Sequence, residues 1–363
     1  MNDLDKNKVV VAMSGGVDSS VAALLLKEAG YDVIGITLKL WDPPKGETFK
    51  HTTCCSVEDI TDARRVADQI GIPFYVINSK ENFRRDVVDR FVSEYLQGRT
   101  PNPCAMCNDR VKFSFLHDKA FELGAHSIAT GHFARKKWNP EKSIWELYTG
   151  RDPQKDQSYF LFSLGQKQLE HTLFPVGDMT KEEVRAIAER AGLKTRNKPE
   201  SQEICFVPGT HGEFIQKYAP ERVGPGGDIL DEAGQVIGQH EGIHQYTVGQ
   251  RRGTQVAKGH RVYIQNIDPE ANTITMGSND SLQERTLWAR NVKWVHEIEN
   301  GDRVMARIRY RHGGAEGVLH LEGSNQVRFE FSDSQRAISP GQAVVFYRGD
   351  QVLGGGWIER GPA

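Results

Sequence analysis

A short glycine-containing turn near the amino terminus has the composition of a phosphate-binding loop. The turn at residues 14–19, SGGVDS, follows the continuously apolar run Val9–Ala12, which is typical of a buried parallel strand. It precedes the segment Ser19–Ala29, which is predicted to be a helix that stops at Gly30. A strand, a tight turn and a helix N-terminus direct backbone N–H groups and the positive end of the helix dipole at one point. The spacing therefore predicts a site for phosphate groups.

This turn differs from the Walker A loop, whose lysine reaches the β- and γ-phosphates of a nucleotide. No lysine lies in the turn, and Asp18 follows its two glycines instead. A carboxylate at this position suits a Mg²⁺ ion that is held against a departing pyrophosphate. The alternative interpretation is a plain strand-to-helix turn of a doubly wound α/β domain. We favour the phosphate interpretation because an aspartate is an unusual choice for a turn that binds nothing.

Cysteines form the second group of residues that could do chemistry. The chain has five, an odd number in a long sequence, at Cys54, Cys55, Cys104, Cys107 and Cys205. This pattern favours reactive thiols or metal ligands over a structural disulfide framework. Cys104 and Cys107 stand at C-x-x-C spacing after two prolines that impose an extended approach. Adjacent cysteines rarely reach one ion, so we interpret Cys54 and Cys55, near His51, as loop residues.

The elements around these residues predict an open parallel sheet with helices between its strands. Predicted strands cover Tyr31–Trp41, residues 72–78 and Ser127–Thr130. The carboxyl ends of such strands would bring Leu38, Gly131 and His132 beside the first loop, with His132 either structural or functional. Helices are predicted from a cap at Ser56 or Asp59 to about Gly71, from Glu81 to Gly98, and over Met179–Leu193 with Thr180 as N-cap and Glu183 at N3.

Beyond about Gly212 the composition changes and helical periodicity disappears. Frequent glycines and short β-prone runs predict hairpins, and six strands from Thr286 onward predict a small barrel. The predicted domains are residues 1–211, 212–285 and 286–363. One predicted barrel strand places Arg307, Arg309 and Arg311 on one face beside Tyr310, which suits either plain solvation or an RNA backbone with a stacked base.

Bulk properties exclude a membrane-spanning protein and one held to nucleic acid by net charge. The chain has 363 residues, a formal net charge of −2 and no apolar run of membrane-spanning length. The amino terminus lacks the apolar core of a signal peptide, so we expect a cytoplasmic location. A basic side is predicted from residues that are either a solvated face or a phosphate contact: Arg185, Arg190, Lys194, Arg196 and Lys198.

Seven motifs occur in one order: SGGVDSS, TPNPCAMCN, TGHFAR, RDPQKDQSYFL, ESQEICFV, YTVGQRRG and PGQAVVFY. With them, the chain resembles the bacterial tRNA-specific 2-thiouridylases, members of the N-type ATP pyrophosphatase superfamily, over nearly its full length. The resemblance implies a doubly wound α/β ATP pyrophosphatase domain, a small central β-rich domain and a C-terminal β-barrel. It also implies ATP-dependent replacement of the C2 oxygen of the wobble uridine by sulfur, in tRNAs for lysine, glutamate and glutamine. Adenylated uridine would be the intermediate, and AMP and pyrophosphate the products.

The resemblance also carries residue roles to matching positions. ATP, with Mg²⁺, would be held by Ala12, Met13, Ser14, Gly15, Gly16, Val17, Asp18, Ser19, Leu38 and Gly131. Asn102, Pro103 and Cys104 would border the target base, and His132, Lys155, Asp156, Gln157, Arg309, Tyr310 and Gln342 would touch tRNA. Cys205 would carry a persulfide and Cys107 would complete the transfer, which requires the two thiols to come within disulfide reach. A cysteine desulfurase or a sulfur-relay protein would supply the sulfur.

One position departs from the family pattern. Many members have an aspartate where this chain has Cys104, and a thiol cannot replace a carboxylate as a base at the same pKa. The resulting set of Cys104, Cys107 and Cys205 resembles the cysteine set of iron–sulfur-dependent tRNA thiolases, which suggests a [4Fe–4S] cluster. A zinc site and a persulfide relay without metal are the alternatives. Two other functions stay open: a ligase of the same loop class that adenylates a small molecule, and an RNA-binding module without activity.

Overall fold

The computed structural model describes residues 5–42, 56–199, 204–254, 256 and 259–361. His51, Cys54 and Cys55, interpreted above as loop residues, lie outside these ranges. The chain forms two compact units. The first comprises the residues up to Val87, Cys104–Phe206 and Asp350–Val352, and the second comprises Val88–Pro103, Val207–Gly349 and the residues from Leu353. No helix of the described ranges has the length and apolarity needed to cross a bilayer.

The first unit is built on a five-stranded parallel sheet. Its strands are β1 (Asp5–Ala12), β2 (Asp32–Lys39), β3 (Phe74–Asn78), β4 (Ala125–Ala129) and β7 (Thr172–Leu173), in the order β3-β2-β1-β4-β7. In the central strand, Val10 pairs with Ile34 on one side and Ile128 on the other. Val9, Val10 and Val11 are fully buried, as continuous apolar runs in parallel sheets are. The predicted parallel-sheet fold is therefore confirmed.

Helices α1 (Val17–Glu28), α2 (Val57–Ile70) and α8 (Lys181–Arg190) begin close to where the sequence predicts them. Ser56 is the N-cap of α2, and Asp59 completes a capping box with it. Thr180 and Glu183 form the predicted capping box of α8. Each pair satisfies backbone N–H groups that the first helical turn leaves without a partner, which fixes where the helix starts.

The sequence predicts one amphipathic helix from Glu81 to Gly98, and the structure divides this segment. Helix α3 (Lys80–Phe83) continues into a π-helical stretch, Arg84–Val88, and then into α4 (Asp89–Leu96). The chain passes from the first unit to the second within this stretch. A second π-helical stretch, Asn108–Phe115, joins α5 (Pro103–Cys107) to α6 (Leu116–Glu122). The second stretch directly follows the C-x-x-C segment, and π-helical turns are often found at functional sites.

A hairpin that the sequence interpretation missed also belongs to the first unit. Strands β5 (Ala134–Asn139) and β6 (Ile144–Thr149) pair with each other, and β6 pairs with Gln351 and Val352. A short helix α7 (Gln166–Glu170) follows, and the Nζ of Lys136 donates to two of its last carbonyls, those of Leu169 and Glu170. Burial of this amine lowers the pKa of Lys136 to about 8.

In the second unit, α9 (His211–Tyr218) precedes a four-stranded sheet. The strands are β8 (Gly227–Asp231), β9 (Val236–His240), β10 (Tyr263–Asp268) and β11 (Thr273–Gly277), in the order β10-β11-β8-β9. The β-rich prediction for this region is confirmed. The prediction that helical structure ends at about Gly212 was wrong, because α9 continues to Tyr218. Its Thr210–Glu213 capping box was the signal that the prediction overlooked.

The second unit also contains the predicted barrel, apart from Gln351 and Val352 at the start of its last strand, which belong to the first unit. Its six strands are β12 (Gln283–Trp294), β13 (Arg303–Arg307), β14 (Ala315–Leu321), β15 (Gln326–Arg336), β16 (Ala343–Arg348) and β17 (Gln351–Glu359), and β12 pairs with both β15 and β17 to close it. The single strand face proposed for the arginines was wrong, because β13 ends at Arg307. Arg309, Tyr310 and Arg311 lie in the turn that follows.

A buried histidine of the first unit predicts acid sensitivity. His117 on α6 is 6% exposed, and its Nε2 lies 3.3 Å from Thr172 Oγ1. Burial, with His171, Lys167 and Lys136 nearby, lowers the pKa of His117 to about 4. The unfolded chain therefore binds a proton below pH 6.5 that the folded protein excludes. We expect stability to be complete above pH 6.5 and to fall towards pH 4, by on the order of 3 kcal/mol from this group.

Urea unfolding at a series of pH values measures this loss. His117→Gln cannot take up a proton but retains a polar partner for Thr172, so its unfolding free energy should change less between pH 6.5 and 4 than that of the wild type. Parallel pH profiles for the two proteins would contradict the assignment.

Candidate active site

The phosphate loop is held in shape by its own side chains. Gly16 is the N-cap of α1, and the Oγ of Ser19 donates to its carbonyl at 3.1 Å. The same Oγ accepts from the backbone N–H of Ser14 at 3.2 Å, and Ser20 Oγ donates to Gly16 O at 2.8 Å. The serines of the SGGVDSS motif thus bond to the loop backbone. A loop closed in this way presents the positive end of the α1 dipole without further ordering.

Gly15 meets two requirements that only glycine satisfies. Its φ is +75°, in the left-handed region that side chains disfavour. A Cβ placed on it would lie 2.3 Å from the backbone oxygen of Asp59, in the first turn of α2. The loop therefore packs backbone to backbone against α2, and any larger residue would displace one of them.

The carboxyl ends of the neighbouring strands lie against the loop, as the sequence predicts. A Cβ on Gly131, just after β4, would lie 2.5 Å from the backbone nitrogen of Ser19 and 2.6 Å from the carbonyl carbon of Asp18. On the other side, the backbone N–H of Met13 donates to Ile36 O in β2, two residues before Leu38. The structure thus brings Met13, Gly131 and the loop together at the carboxyl edge of the sheet, where ligands of open α/β sheets bind.

A lysine that the sequence interpretation missed reaches this loop. The Nζ of Lys181 lies 2.7 and 2.8 Å from the two carboxylate oxygens of Asp18. The side chain of Lys181 is 9% exposed and that of Asp18 is 27% exposed, so the pair is partly shielded from water. Lys181 is the first residue of α8, and its backbone N–H donates to Asp152 Oδ2 at 3.0 Å. The cation that the turn lacks in sequence is supplied by a helix 163 residues further along.

A second lysine supports the helix that packs on Gly15. Lys198 Nζ lies 2.7 Å from both Asp59 Oδ1 and Asp62 Oδ2. Burial lowers the pKa of Lys198, but hydrogen bonds to the two carboxylates outweigh this, and the pKa is raised overall. Lys198 is therefore an ion-pair partner of α2. This member of the predicted basic side makes its contact within the protein.

The two thiols with predicted roles lie on different segments of the first unit. Cys107 is the last residue of α5 and is 7% exposed, and the next residue, Asn108, donates from Nδ2 to Phe160 O at 3.1 Å. Cys205 is half-buried in a turn. It precedes Phe206, whose ring packs edge-on to Phe83 at 5.6 Å between ring centroids. Cys104 is exposed.

The cluster hypothesis rests on three cysteines that the structure does not gather around one metal ion. Cys104, Cys107 and Cys205 all lie in the part of the chain that the structure describes. In that part, no three His, Cys, Asp or Glu side chains converge as the ligands of a metal ion. A single zinc ion would need such a convergence, whereas a [4Fe–4S] cluster binds each thiolate through a different iron, so the cluster stays a prediction.

Comparison with known proteins identifies the family. The tRNA-specific 2-thiouridylase MnmA of Geobacter metallireducens is 50% identical over 368 residues, covering 99% of this chain and 98% of that protein. The enzyme of the same name from Moorella thermoacetica is 51% identical over 357 residues, covering 96% and 99%. The chain belongs to the tRNA-specific 2-thiouridylase family. It is thus a member of a family of enzymes that are tRNA sulfurtransferases.

Three domain families match successive parts of this thiouridylase family member. A tRNA methyl transferase HUP domain matches residues 7–209, a tRNA methyl transferase PRC-barrel domain matches residues 212–278, and an aminomethyltransferase beta-barrel domain matches residues 284–358. Among solved structures, a 4-thiouridine synthetase–RNA complex with bound ATP is similar over 59% of this chain and 51% of that one, with a TM-score of 0.39 at 18% identity. An NMN synthetase from Francisella tularensis covers 53% and 66%, with a TM-score of 0.32 at 14% identity.

Several residues to which the thiouridylase resemblance gives a tRNA contact bond to the protein itself. Asp156 is buried, and its Oδ1 accepts from the backbone N–H groups of Gly150 and Ser158 at 3.2 and 3.0 Å. Gln157 exchanges hydrogen bonds with the backbone of Phe133, through its Oε1 at 3.1 Å and its backbone N–H at 2.9 Å. Lys155 is half-buried in the same loop. These bonds shape the loop beside the residues that follow Gly131.

His132 has a structural partner in this enzyme. Its Nδ1 lies 2.7 Å from Thr130 Oγ1, and its ring centroid lies 5.9 Å from that of Phe113. Burial of the ring, with Lys112 nearby, lowers the pKa of His132 to about 3. The imidazole is therefore neutral at physiological pH, so any contact it makes with RNA is a hydrogen bond and not an ion pair.

The remaining residues that would border the target base or touch tRNA lie in the second unit and differ in their exposure. Tyr310 is exposed in the turn after β13, and the neighbouring Arg309 donates from Nη1 to Arg336 O at 3.3 Å. Asn102 and Pro103 are buried. Gln342 donates from Nε2 to the carbonyls of Thr100 and Pro101 at 3.1 and 3.4 Å. Tyr310 is thus presented to solvent, whereas the amide nitrogen of Gln342 bonds to backbone.

Proposed function

We propose that this protein uses ATP to replace the C2 oxygen of the wobble uridine with sulfur in tRNAs for lysine, glutamate and glutamine. The observation that carries the proposal is the 50% identity to a tRNA-specific 2-thiouridylase over 99% of the chain. The geometry of the loop supports it, because the edge of the parallel sheet offers a helix N-terminus and a lysine to a polyphosphate. We also propose that the enzyme acts in the cytoplasm.

In the first step, the uridine C2 oxygen attacks the α-phosphorus of ATP, and the bond to the β-phosphate oxygen breaks. Pyrophosphate leaves and AMP stays on the C2 oxygen, which converts a poor leaving group into a good one. The backbone N–H groups of residues 14–19 and the ammonium group of Lys181 would stabilise the charge that develops on pyrophosphate. Asp18 would hold a Mg²⁺ ion that arrives with the nucleotide, and this ion would neutralise phosphate charge.

In the second step, the terminal sulfur of a Cys205 persulfide attacks C2, and AMP departs with the original oxygen. The base is then joined to Cys205 through a disulfide. The Cys107 thiolate attacks Cys205 Sγ, which releases 2-thiouridine and leaves a disulfide between Cys107 and Cys205. A cysteine desulfurase or a sulfur-relay protein would load Cys205, and a dithiol reductant would reopen the disulfide. We route no step through an iron–sulfur cluster.

We propose that residues 1–211 form the catalytic domain, residues 212–285 the central tRNA-binding domain and residues 286–363 the barrel domain. The three family matches support these limits. Within the catalytic portion, residues 88–103 fold with the second unit. Asn102 and Pro103 therefore belong to the second unit, whereas Cys104 and the loop that would bind ATP belong to the first.

The decisive experiment is thiolation of a tRNA transcript with purified protein, ATP, a dithiol reductant, and a cysteine desulfurase with cysteine as the source of persulfide sulfur. We expect 2-thiouridine at the wobble position in transcripts for lysine, glutamate and glutamine, read by mass spectrometry of the nucleosides. A transcript with cytidine at that position is the matched control and should remain unmodified. AMP release that does not depend on tRNA would favour a ligase acting on a small molecule, and tRNA binding without pyrophosphate release would favour a binding module.

A further inference from the structure

A turn of the barrel holds the chain that leads to the proposed base-bordering residues. This turn, Ser339–Gln342, is here named the latch. The latch is part of the barrel, because the backbone N–H of Gly341 donates to Ile358 O and the backbone N–H of Ile358 donates to Gln342 O, both at 2.8 Å. Ile358 lies on β17, whose pairing with β12 closes the barrel. The position of the latch is therefore fixed by the barrel.

The other side of the latch forms hydrogen bonds with the segment 99–101. The backbone N–H of Thr100 donates to Pro340 O at 2.7 Å. The side-chain amide of Gln342 donates to Thr100 O at 3.1 Å and to Pro101 O at 3.4 Å. Both polar groups of the Thr100 backbone are thus bonded to the latch. Pro101 has no backbone N–H group that would need an acceptor.

Gly341 allows the latch to approach so closely. Its φ is +90°, and a Cβ on it would lie 2.9 Å from the backbone nitrogen of Thr100 and 3.0 Å from the Cβ of Arg99. A backbone atom cannot move away as a flexible side chain does. Any side chain at residue 341 would therefore push the Arg99–Pro101 segment off the barrel.

A second attachment lies one residue earlier. The guanidinium of Arg99 bonds to Glu94 Oε1 at 2.8 Å and lies 3.4 Å from Glu359 Oε1 on β17. Glu359 also forms an ion pair with Arg290 on β12. The side chain of Arg99 is mostly buried, so these contacts are less screened than surface ion pairs. The Arg99–Pro101 segment is thus bonded to the barrel through the side chain of Arg99 as well as through backbone hydrogen bonds.

We propose that Gln342 and Gly341 are positioning residues for the thiolation reaction. Asn102, which the resemblance places at the target base, follows Arg99–Pro101 directly within the second unit. Pro101 and Pro103 leave the backbone around it little freedom, so the direction of the chain at Thr100 sets where Asn102 lies. Gln342 acts on the reaction through the Thr100–Pro101 backbone. This inference rests on the proposed function for its catalytic consequence, but the attachment itself is testable without catalysis.

Steady-state kinetics separates positioning from tRNA contact. Gln342→Glu has the same shape but replaces a donor with an acceptor that faces two carbonyl oxygens. We expect kcat for thiolation to fall by roughly tenfold or more, with the KM for tRNA nearly unchanged. Gln342→Lys, which again places a donor there, should recover part of kcat. A raised KM with normal kcat would overturn the proposal and assign Gln342 to tRNA contact.

Hydrogen exchange tests the attachment in the absence of any substrate. In Gly341→Ala, peptides that contain the Thr100 amide should exchange roughly tenfold faster than in the wild type. Gly301→Ala is the matched control, because Gly301 has a similar φ of +94° in the same barrel and nothing lies within 4 Å of an added Cβ. Faster exchange in both variants, or in neither, would overturn the proposal.

These two measurements fail in different ways. If the wild-type protein does not thiolate tRNA, the kinetic experiment has no signal and the proposed function fails, while the exchange experiment still reports on the latch. If Gly341→Ala does not fold, Gln342→Glu carries the exchange measurement, since its backbone is unstrained. Normal exchange at Thr100 in Gln342→Glu would then reject the latch on its own.

Discussion

Replacing Cys205 with serine should abolish sulfur transfer to tRNA and leave the adenylation step intact. A hydroxyl cannot carry a persulfide, so no sulfur is presented to the activated uridine. We expect 2-thiouridine formation to fall by at least about 10³-fold, while tRNA-dependent exchange of pyrophosphate into ATP stays near the wild-type rate. Mass spectrometry of the nucleosides and the exchange assay, run on one preparation, give both numbers.

Replacing Cys107 should stop the reaction one step later. Without its thiolate, the base stays joined to Cys205 through a disulfide, and a protein–tRNA adduct that thiol reductants release should accumulate. A denaturing gel run with and without reductant detects this adduct. Cys55→Ser, which the mechanism does not involve, is the matched control and should form none. Loss of pyrophosphate exchange in the Cys107 or Cys205 variant would contradict the assignment of these two thiols to sulfur transfer alone.

The parts of the site that lie close together in sequence were predictable. Residues 9–20 form a strand, a turn and a helix in immediate succession, and each is set by local physics: β-branched burial, the φ of Gly15 and an apolar helix. Gly131 followed from topology, because parallel strands end at the same edge of a sheet. Capping boxes at Ser56 and Thr180 are likewise complete within four residues.

The parts that depend on tertiary contact were not predictable from one sequence. Lys181 stands 163 residues from Asp18, and nothing around it but a helix start marks it out. The amphipathic pattern of residues 81–98 predicts a helix but not what covers its apolar face. In the structure, Tyr95 stacks on His211 at 4.3 Å between ring centroids, and the Tyr218 hydroxyl donates to Asp89 Oδ1, so α4 packs on α9. The contacts of Gln342 were not predictable for the same reason, because the backbone carbonyls that it bonds to lie some 240 residues away in the sequence.

The arginine-rich strand shows a different kind of error. Alternation through Arg307, Arg309 and Arg311 suits a strand, but β13 pairs with β14 only as far as Ala306 and Ala315. Beyond Arg307 the chain turns, and the backbone N–H of His312 donates to Arg309 O. A period of two therefore describes the side chains correctly only where a neighbouring strand continues the ladder. The turn instead displays Tyr310 to solvent.

Removing the carboxylate of Asp18 should suppress adenylation by roughly 10³-fold. Asp18→Asn keeps the shape of the side chain and a weak acceptor for Lys181, but it loses the charge that would hold Mg²⁺ against the pyrophosphate. Affinity for tRNA should stay nearly unchanged, because the change is confined to the phosphate loop. Pyrophosphate exchange measures the first effect and filter binding the second. Pyrophosphate release at the wild-type rate would refute the role.

Lys181→Met and the double variant test whether the two residues act as one unit. The methionine keeps most of the apolar stem of Lys181 beside Phe133 but brings no charge to the phosphates, so we expect a loss of roughly 10²-fold in exchange. If the lysine and the carboxylate stabilise the same departing pyrophosphate, the double variant should lose about as much as Asp18→Asn alone. Fully additive losses would mean that the two groups act independently. Lys198→Met is the control, because it breaks a comparable lysine–carboxylate cluster in the same unit and should lower stability far more than exchange.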